Sequence, residues 1–468
     1  MLLRDTRLMP HRLTLAEMSR LIHARKLSPV DLLDAHLRQI EKLNPTVNAF
    51  VEIFGEKARE QAKQAQESTP NHPLHGIPLT IKDSLDVEGY PTLCGSRYRL
   101  GHRAAQDSTA AKKFKQAGAI LLGKTNCPEF LANYETDNRI TGRTNNPWNL
   151  ERTAGGSSGG ESAAIAARCS AGGIGSDGGG SVRIPAHFTG IAALKPTPGR
   201  LSAAGHYPAI NHPGGLLGVV GPMARTAEDL RILFEALAGY DIDDPFSAPV
   251  PIRPPNLTGL KVGIMEQFYE VPVQDSMKKA IRKAAAALEE LKIPADPFMP
   301  KGLERAPNLW WFFFGELPAP FTRQVIATNP DDAHWTGTEF VNSIPIDPPI
   351  TGKKVVENLA ARDAMRASLM HQMEDYPVLL LPPCGVPAFR HRERRWETST
   401  KPIGLFQAMM PVTPFNLLGL PGLVIPFDMT DDGLPIGIQL IARPYEEELL
   451  LELAIQLEHV RGRFASPV

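Results

Sequence analysis

The sequence has few cysteines, no long apolar run and no excess of charge of either sign. Its four cysteines are scattered over 468 residues, and no two of them have the spacing of a zinc or redox motif. No segment approaches the roughly eighteen consecutive apolar residues of a membrane helix, and Met1 to Leu13 lack the apolar centre of a secretory signal. We therefore expect a cytoplasmic protein with reduced cysteines, no metal site and no membrane span.

The charge balance argues against a nucleic-acid partner. The formal net charge is −1, with 22% charged and 43% hydrophobic residues. The densest basic run, Arg390 to Arg395, also contains Glu393 and is typical of a solvated loop. The composition therefore favours a globular protein with a large buried core and no nucleic-acid partner.

The first quarter of the chain carries clear helix signals. Thr14 and Glu17 form a capping box, and Ser28-Pro29 begins a second helix that Asn44-Pro45 is expected to end. The apolar run 47–54 predicts a strand, and an alanine-rich helix is expected at 56–67.

From about residue 75 onward, strands alternate with helices. The expected buried strands are Ile77–Ile81, Ala119–Leu122, Ile191–Leu194, Leu260–Ile264, Val378–Leu381, Leu423–Ile425 and Ile436–Ile441. Helical patterns lie between many of them, at 108–117, 161–169, 226–238 and 275–291. This alternation predicts an α/β fold around a largely buried sheet.

Residues 300–350 have a different character, with many prolines and weak periodicity. They carry the aromatic run Trp310 to Phe314 and a further tryptophan, Trp335. We interpret this segment as an insertion over the core. Its aromatic side chains are expected either to contact a hydrophobic substrate or to pack between the helices of the insertion.

Two motif matches are dismissed on physical grounds. Gly118–Thr125 has the spacing of a P-loop, but its four intervening residues, Ala-Ile-Leu-Leu, are typical of a buried strand and not of a phosphate-binding loop. Gly173–Gly178 matches GxGxxG, but Pro185 follows soon after and no helix is expected to open there. The sequence therefore does not favour a nucleotide or dinucleotide site.

A pair of glycine–serine segments gives a stronger signal. They are 155–161 and 175–183, and a helical stretch, Ser162–Cys169, lies between them. The consecutive amides of Gly178, Gly179, Gly180 and Ser181 can form a nest for an oxyanion, since glycine lets the backbone approach a ligand closely. A flexible linker is the alternative, and the apolar patterns on both sides argue against it.

A lysine completes the set of candidate functional residues. Lys82 ends the apolar run that follows His75, where a lysine usually extends to solvent. If Lys82 is buried instead, its pKa falls and its neutral amine can act as a base.

Together these three segments resemble the amidase-signature family of serine hydrolases. The family pattern is G-I-P-x-x-x-K-D, then G-G-S-S-G-G, then D-x-G-G-S-x-R. Here Lys82 precedes Ser157 by 75 residues, and Ser157 precedes Ser181 by 24. Segments at 123–148, 185–197 and 413–439 continue the likeness, which is weak over 245–400.

The resemblance implies one domain over residues 1–468, built on a central mixed, twisted sheet with α-helices on both sides. Its expected parts are N-terminal helices at 1–74, a signature core at 75–240, a variable substrate-covering insertion at 245–400, and returning core strands with a C-terminal helix at 402–468. It also implies no metal or organic cofactor, and we expect a monomer or homodimer.

The resemblance also assigns roles to residues. Ser181 is the expected nucleophile, Ser157 the serine with a cis peptide bond that bridges it to the base, and Lys82 the base. The amides of Gly178, Gly179, Gly180 and Ser181 match the oxyanion hole, and Ser158, Asp177 and Arg183 match residues that support the loop. Phe130 and Tyr134 are candidates for the substrate pocket by family position only.

The implied reaction is hydrolysis of the C–N bond of small hydrophobic or aryl amides through an acyl-enzyme, with esters and carbamates (urethanes) as further substrates. The alternative is the glutaminase component of a tRNA-dependent amidotransferase, which needs a polar pocket and a partner chain. The chain reads Cys-Pro-Glu-Phe after Asn126, unlike the Met-Asp-Glu-Phe typical of that component, so the amidase is favoured. A binding protein without catalysis is disfavoured because all three catalytic positions are intact.

Overall fold

A largely buried sheet of eleven strands organises the protein, in a computed structural model that describes residues 9–210 and 216–468. The strands are β1 (Phe50–Ile53), β2 (Pro78–Lys82), β3 (Ile120–Thr125), β4 (Asn145–Asn146), β5 (Asn149–Thr153), β6 (Gly172–Asp177), β7 (Ala192–Lys195), β8 (Val219–Ala224), β9 (Val262–Ile264), β10 (Ala295–Pro297), β11 (Val378–Leu381), β12 (Arg395–Trp396), β13 (Ile403–Gly404), β14 (Gly422–Met429) and β15 (Pro435–Ala442). The main sheet has the order β1-β3-β2-β6-β8-β7-β14-β15-β11-β9-β10, and β4 with β5 and β12 with β13 form separate ribbons.

Helices cover both faces of this sheet. They are α1 (Leu15–His23), α2 (Pro29–Val47), α3 (Gly55–Glu67), α4 (Thr109–Gln116), α5 (Gly159–Ala166), α6 (Arg183–Thr189), α7 (Ala227–Leu237), α8 (Asp275–Glu290), α9 (Ala306–Trp311), α10 (Ala319–Thr328), α11 (Trp335–Ser343), α12 (Gly352–Gln372), α13 (Leu405–Met409), α14 (Pro414–Leu417) and α15 (Glu447–Arg461). The expected α/β fold with a mixed sheet is confirmed, and every strand named from the sequence after residue 75 lies in that sheet.

Apolar residues on both faces of the strands hold the layers together. In β14, Leu423 and Ile425 pack into the core beneath α7, α8 and α15, while Val424 points to the opposite face and packs against α5 and α6. Strands covered on both faces read as continuous apolar runs, because every side chain is buried. This explains why the central strands were recognisable in the sequence.

The parallel strands place the functional segments at one edge of the sheet. Strand β2 pairs in parallel with both β3 and β6, whereas β6 pairs antiparallel with β8. The carboxyl ends of three parallel strands therefore meet, at Lys82, Thr125 and Asp177. This edge carries the candidate site.

Three local expectations were wrong. Helix α2 does not end at Asn44-Pro45 but runs to Val47, because a proline near the end of a helix removes a single hydrogen bond. It stops at Asn48, whose left-handed conformation (φ 54°) suits asparagine, and this leaves β1 shorter than the expected 47–54.

The third concerns the GxGxxG segment, after which no helix was expected. Most of this segment lies in strand β6, which the sequence does not predict because glycine is unfavourable in strands. Glycine is present here because a Cβ on Gly173 would lie 2.3 Å from the Thr80 carbonyl oxygen of the neighbouring strand. A helix does open beyond the segment, at Arg183, with Pro185 in the first turn, where no helical N–H bond is lost.

The segment 245–400, expected to be a substrate-covering insertion, also contributes strands to the core. It supplies β9, β10 and β11 to the main sheet, and only its middle part, about 300–345, lies over the candidate site. No helix within residues 9–210 and 216–468 is long and apolar enough to cross a membrane. The four cysteines are buried as free thiols.

Candidate active site

A buried lysine amine lies at the centre of the candidate site. Lys82 is the last residue of β2 and is fully buried. Its Nζ donates to the hydroxyl oxygens of Ser157 (2.7 Å), Ser158 (2.9 Å) and Ser176 (3.1 Å). Three acceptors match the three donors of an ammonium, and the hydroxyls can also donate to a neutral amine. We call these four residues the serine–lysine cluster.

The environment of Lys82 favours its neutral form. Burial lowers the pKa of Lys82 from 10.5 to about 8, because the charged amine loses its hydration. Glu161 lies nearby, and burial raises its pKa to about 7 against the opposing effect of hydrogen bonds from Thr125 and Thr80. A substantial fraction of Lys82 is therefore neutral near physiological pH, where an unperturbed lysine is almost entirely charged.

The two glycine–serine segments meet beside this amine. Ser157 lies in the loop between β5 and α5, and the Gly156–Ser157 peptide bond is cis. The Ser158 N–H donates to the Ser181 carbonyl oxygen (3.0 Å), which joins this loop to residues 178–181, here called the glycine loop. Ser157 and Ser181 both line the same cavity, so the structure brings together Lys82, Ser157 and Ser181.

A buried ion pair holds the glycine loop in place. Both oxygens of the Asp177 carboxylate accept from the Arg183 guanidinium, at 3.0 and 3.1 Å. The same carboxylate accepts from the amides of Gly180 (2.6 Å) and Val182 (3.2 Å). Burial alone would raise the pKa of Asp177, but the Arg183 charge outweighs it and holds that pKa well below its usual range.

These contacts change the set of amides available to an oxyanion. The Gly180 N–H was expected in the oxyanion hole, but the Asp177 carboxylate already binds it. Gly180 has φ 109° and serves the turn instead, and a Cβ there would lie 2.7 Å from Val412. The amides of Gly178, Gly179 and Ser181 have no acceptor within the described part of the chain, and Gly178 and Ser181 line the cavity.

An apolar cavity of about 410 Å³ opens from the two serines. Its hydrophobic lining, here called the apolar wall, includes Phe130, Phe313, Phe314, Phe340, Val341 and Ile344. Most of these residues come from the turn after α9 and from α11 and the residue after it, so the 300–350 segment both packs internally and faces the cavity. The space suits a small molecule with an apolar portion.

The two pocket candidates differ in position. Phe130 lines the cavity, whereas Tyr134 is absent from its lining. Tyr134 lies behind the glycine loop and donates its hydroxyl to the Gly179 carbonyl oxygen (2.9 Å). Tyr134 therefore contacts the loop that faces the cavity and not the cavity itself.

Little charge reaches this cavity. Among the described residues that line it, Asp177 is the sole acidic or basic side chain, apart from His206, and Asp177 is paired with Arg183. Burial lowers the pKa of His206 to about 3, so the imidazole is neutral at physiological pH. The described lining thus offers no unpaired charge to a charged substrate.

Several contributing residues were not assigned roles from the sequence. Ser176 is the third partner of Lys82, and Asn416 and Gln439 accept hydrogen bonds from Arg183. Trp310 donates its indole N–H to the Gly178 carbonyl oxygen (2.8 Å). The sequence carries a signal for three of them: Ser176 directly precedes Asp177, and Asn416 and Gln439 lie in the segment 413–439 that continues the family resemblance. Trp310 lies 132 residues from Gly178 in a segment without such a motif, and no signal indicates its role.

The dismissed P-loop match is a strand, as expected. Lys124 lies in β3, is fully buried and pairs with the Asp83 carboxylate (2.9 Å). That lysine is therefore committed to the protein and not to a phosphate. Within the described ranges, no group of three or more histidine, cysteine or acidic side chains is arranged to hold a metal ion.

Comparison with known proteins places this geometry in a family. The family model described as Amidase matches residues 31–451. A glutamyl-tRNA(Gln) amidotransferase subunit of Roseiflexus sp. (strain RS-1) is 33% identical, with 96% of both chains covered. Indoleacetamide hydrolase of Bradyrhizobium diazoefficiens is 32% identical over 95% of this chain and 86% of its own. The solved structure of 6-aminohexanoate cyclic dimer hydrolase with its substrate superposes with a TM-score of 0.85 at 28% identity, covering 96% of this chain and 97% of that one.

Proposed function

We propose that this chain, which belongs to the amidase family, hydrolyses the C–N bond of small hydrophobic or aryl amides through an acyl-enzyme on Ser181. In this proposal Ser157 relays protons and Lys82 is the base. The observation that carries the proposal is the buried Lys82 amine, 2.7 Å from the Ser157 hydroxyl at the base of a cavity that Ser181 also lines.

The lysine replaces the histidine of more familiar serine hydrolases. A serine hydroxyl is a weak nucleophile until a base removes its proton. Lys82 has a pKa of about 8, so it can accept that proton when neutral and hold it as an ammonium during the reaction. Its other two serine partners, Ser158 and Ser176, keep the amine directed at Ser157 in both states.

The proposed reaction proceeds in two halves. Neutral Lys82 takes the Ser157 proton while Ser157 takes that of Ser181, and Ser181 Oγ forms a bond to the substrate carbonyl carbon. The resulting oxyanion accepts from the free loop amides. The C–N bond then breaks, the proton returns through Ser157 to the leaving amine, and water attacks the acyl-enzyme by the same relay to release the acid and restore Ser181.

The apolar wall supports a substrate with a hydrophobic or aryl portion. Burying such a group contributes favourable binding in proportion to its apolar area, and the aromatic lining offers stacking partners. The same chemistry extends to esters and carbamates, because both present a carbonyl carbon and a leaving group that takes a proton.

A second candidate is a glutaminase that works within an amidotransferase. The similarity to the Roseiflexus glutamyl-tRNA(Gln) amidotransferase subunit, 33% identity over 96% of the chain, favours it. Free glutamine carries an ammonium and a carboxylate, and both need charged or strongly polar partners when buried. The described lining supplies no unpaired charge, so we rank this candidate second.

Labelling with a fluorophosphonate tests the nucleophile. We expect a single covalent adduct on Ser181, and loss of both the adduct and amide turnover in Ser181→Ala. Ser162→Ala is the matched control, since its hydroxyl is also buried but bonds to Gly159 and Ala154 carbonyls. An adduct on another serine, or turnover retained by Ser181→Ala, would exclude the proposed mechanism.

A substrate panel separates the two candidates. The purified chain alone should hydrolyse 4-nitroacetanilide and phenylacetamide faster than glutamine, with phenyl acetate and a phenyl carbamate as comparison substrates. Glutamine turnover that exceeds these rates, or that appears only with a partner chain, would reverse the ranking.

A further inference from the structure

Two aromatic side chains donate hydrogen bonds to successive carbonyl groups of the glycine loop. Trp310 Nε1 donates to the Gly178 oxygen (2.8 Å), and the Tyr134 hydroxyl donates to the Gly179 oxygen (2.9 Å). Both rings are buried, and they come from distant parts of the chain, 132 and 45 residues from the carbonyls they bind. Neither contact follows from local chain geometry, so each is a tertiary feature that the fold has to provide.

These bonds fix the directions of the amides in the loop. In a trans peptide the C=O and the following N–H point in opposite directions within one plane. A donor on the Gly178 carbonyl therefore sets the direction of the Gly179 N–H, one of the loop amides without an acceptor among the described residues. A donor on the Gly179 carbonyl sets that of the Gly180 N–H, which Asp177 holds from the other side (2.6 Å).

Steric contact adds to the hydrogen bonds. A Cβ on Gly179 would lie 2.3 Å from the Trp310 ring, so the indole presses directly against the loop backbone. Phe314 stacks on that indole, with ring centroids 4.5 Å apart and an angle of 16° between planes. The aromatic segment thus supports the loop from behind, and the loop cannot turn its peptide planes without displacing packed rings.

We propose that Trp310 and Tyr134 are positioning residues for the glycine loop. Trp310 orients the Gly179 N–H toward the oxyanion of the transition state, and Tyr134, together with Asp177, fixes the adjoining Gly179–Gly180 peptide that keeps the loop in that conformation. The inference rests on the proposed function, because it assigns that loop the oxyanion. A hydrogen bond to a carbonyl also polarises its peptide group and makes the N–H of that group a better donor. Trp310 thereby links the 300–345 segment to the chemical step as well as to substrate binding.

Isosteric variants test this role. Trp310→Phe and Tyr134→Phe each remove one donor and retain a ring, and the matched controls are Trp148→Phe and Tyr269→Phe. Trp148 donates its indole N–H to the Thr189 carbonyl (2.8 Å), and the Tyr269 hydroxyl donates to the Pro300 carbonyl; neither residue lines the cavity. We expect kcat for 4-nitroacetanilide to fall about tenfold in each test variant, with KM within about twofold, because a misdirected amide weakens transition-state binding alone.

A second readout separates positioning from general loss of structure. Phenylboronic acid forms a tetrahedral adduct on an active-site serine and places an oxygen where the oxyanion lies. Its Kd should rise with the fall in kcat in Trp310→Phe and Tyr134→Phe, while the affinity for phenylacetic acid, a planar product, stays unchanged. Thermal melting of each variant reports on folding, and Tyr134→Phe keeps the test valid if Trp310→Phe does not fold.

Failure of this inference differs from failure of the proposed function. Unchanged kcat and boronate affinity in both variants would overturn the positioning role while Ser181→Ala remains inactive. Equal changes in the test and control variants would also overturn it, since the effect would then be structural. Full turnover by Ser181→Ala would overturn the proposed function itself, whatever the aromatic variants do.

Discussion

The serine–lysine cluster and the apolar wall border the same cavity but are built by different rules. In the cluster, one amine meets three hydroxyls within 3.1 Å, and the adjacent Asp177 is bound by Arg183 and two amides. The wall contributes Phe313, Val341 and Ile344, whose contacts are apolar and have no directional requirement. The cluster constrains which reaction is possible, and the wall constrains which molecules fit.

The difference has an energetic basis. A buried polar group without a partner costs roughly 1–3 kcal/mol, and a buried charge without one costs more, so each member of the cluster depends on the others. An apolar wall tolerates exchange among hydrophobic residues of similar volume, usually at less than about 1.5 kcal/mol. Substitutions in the cluster should therefore abolish function, and substitutions in the wall should redirect it.

The largest effect is expected from Lys82→Met. This variant keeps the length of the side chain and removes the base, so kcat for amide hydrolysis should fall by about three or more orders of magnitude, since groups in one proton relay fail together. Lys113→Met is the control, because that amine binds the Leu237 carbonyl far from the cavity. Steady-state kinetics together with a melting curve measure both. Turnover within tenfold of the parent in folded Lys82→Met would remove Lys82 from the mechanism.

Asp177→Asn should act next most strongly, and on stability as well as rate. It leaves the buried Arg183 guanidinium without a counter-charge, which costs roughly 3–5 kcal/mol in comparable buried pairs. Asp432→Asn is the control, since its pair with Arg152 is partly exposed and should contribute less than about 1 kcal/mol. Urea unfolding measures both. Equal losses in the two variants would mean that the buried pair does not hold the loop.

The sequence indicated Lys82, Ser157 and Ser181 through short motifs at a characteristic spacing. It assigned no role to Ser176, the third partner of Lys82, and did not single out most residues of the wall, because these are brought to the cavity by the fold and not by a local motif. The wall is formed by α11 and by the turn after α9, whose Phe314 lies against the glycine loop, and nothing in the run Trp310 to Phe314 indicates which rings face the cavity. The structure separates them: Phe312 packs in the core away from the cavity, whereas Phe313 and Phe314 line it.

Strand β6 shows why part of the fold could not be predicted from local sequence. Its residues 172–177 carry three glycines, a composition that argues against a strand. Glycine is required there because residues distant in the sequence pack against the strand and leave no room for a side chain. A Cβ on Gly175 would lie 2.6 Å from the Ser158 hydroxyl oxygen, so the small residue makes room for the cluster. Local propensity was overridden by packing, which no reading of a single segment can anticipate.

A smaller and selective effect is expected from Ile344→Ala in the wall. Ile344 is buried and lines the cavity, so its truncation should lower kcat/KM for phenylacetamide about tenfold, through loss of roughly 1–2 kcal/mol of apolar contact, and leave acetamide unchanged. Ile346→Ala is the matched control, because Ile346 is 75% exposed two residues further on. Parallel losses for acetamide and phenylacetamide would show that the wall affects the reaction and not the fit.

The smallest expected effect is a shift in the pH profile, which tests how the neighbouring charge of Glu161 sets the pKa of Lys82. The proposed mechanism needs the neutral amine, and burial lowers the pKa of Lys82 to about 8, so kcat/KM should rise with pH and level off above that value. Glu161, with a pKa of about 7, is mostly ionised there, and its charge favours the Lys82 ammonium. Glu161→Gln removes that charge, so the pKa of Lys82 should fall and the rising limb should move to lower pH by about 0.5–1 unit. Glu235→Gln, an exposed change on α7, should leave the limb in place, and a shift to higher pH in Glu161→Gln would contradict the assignment of that limb to Lys82.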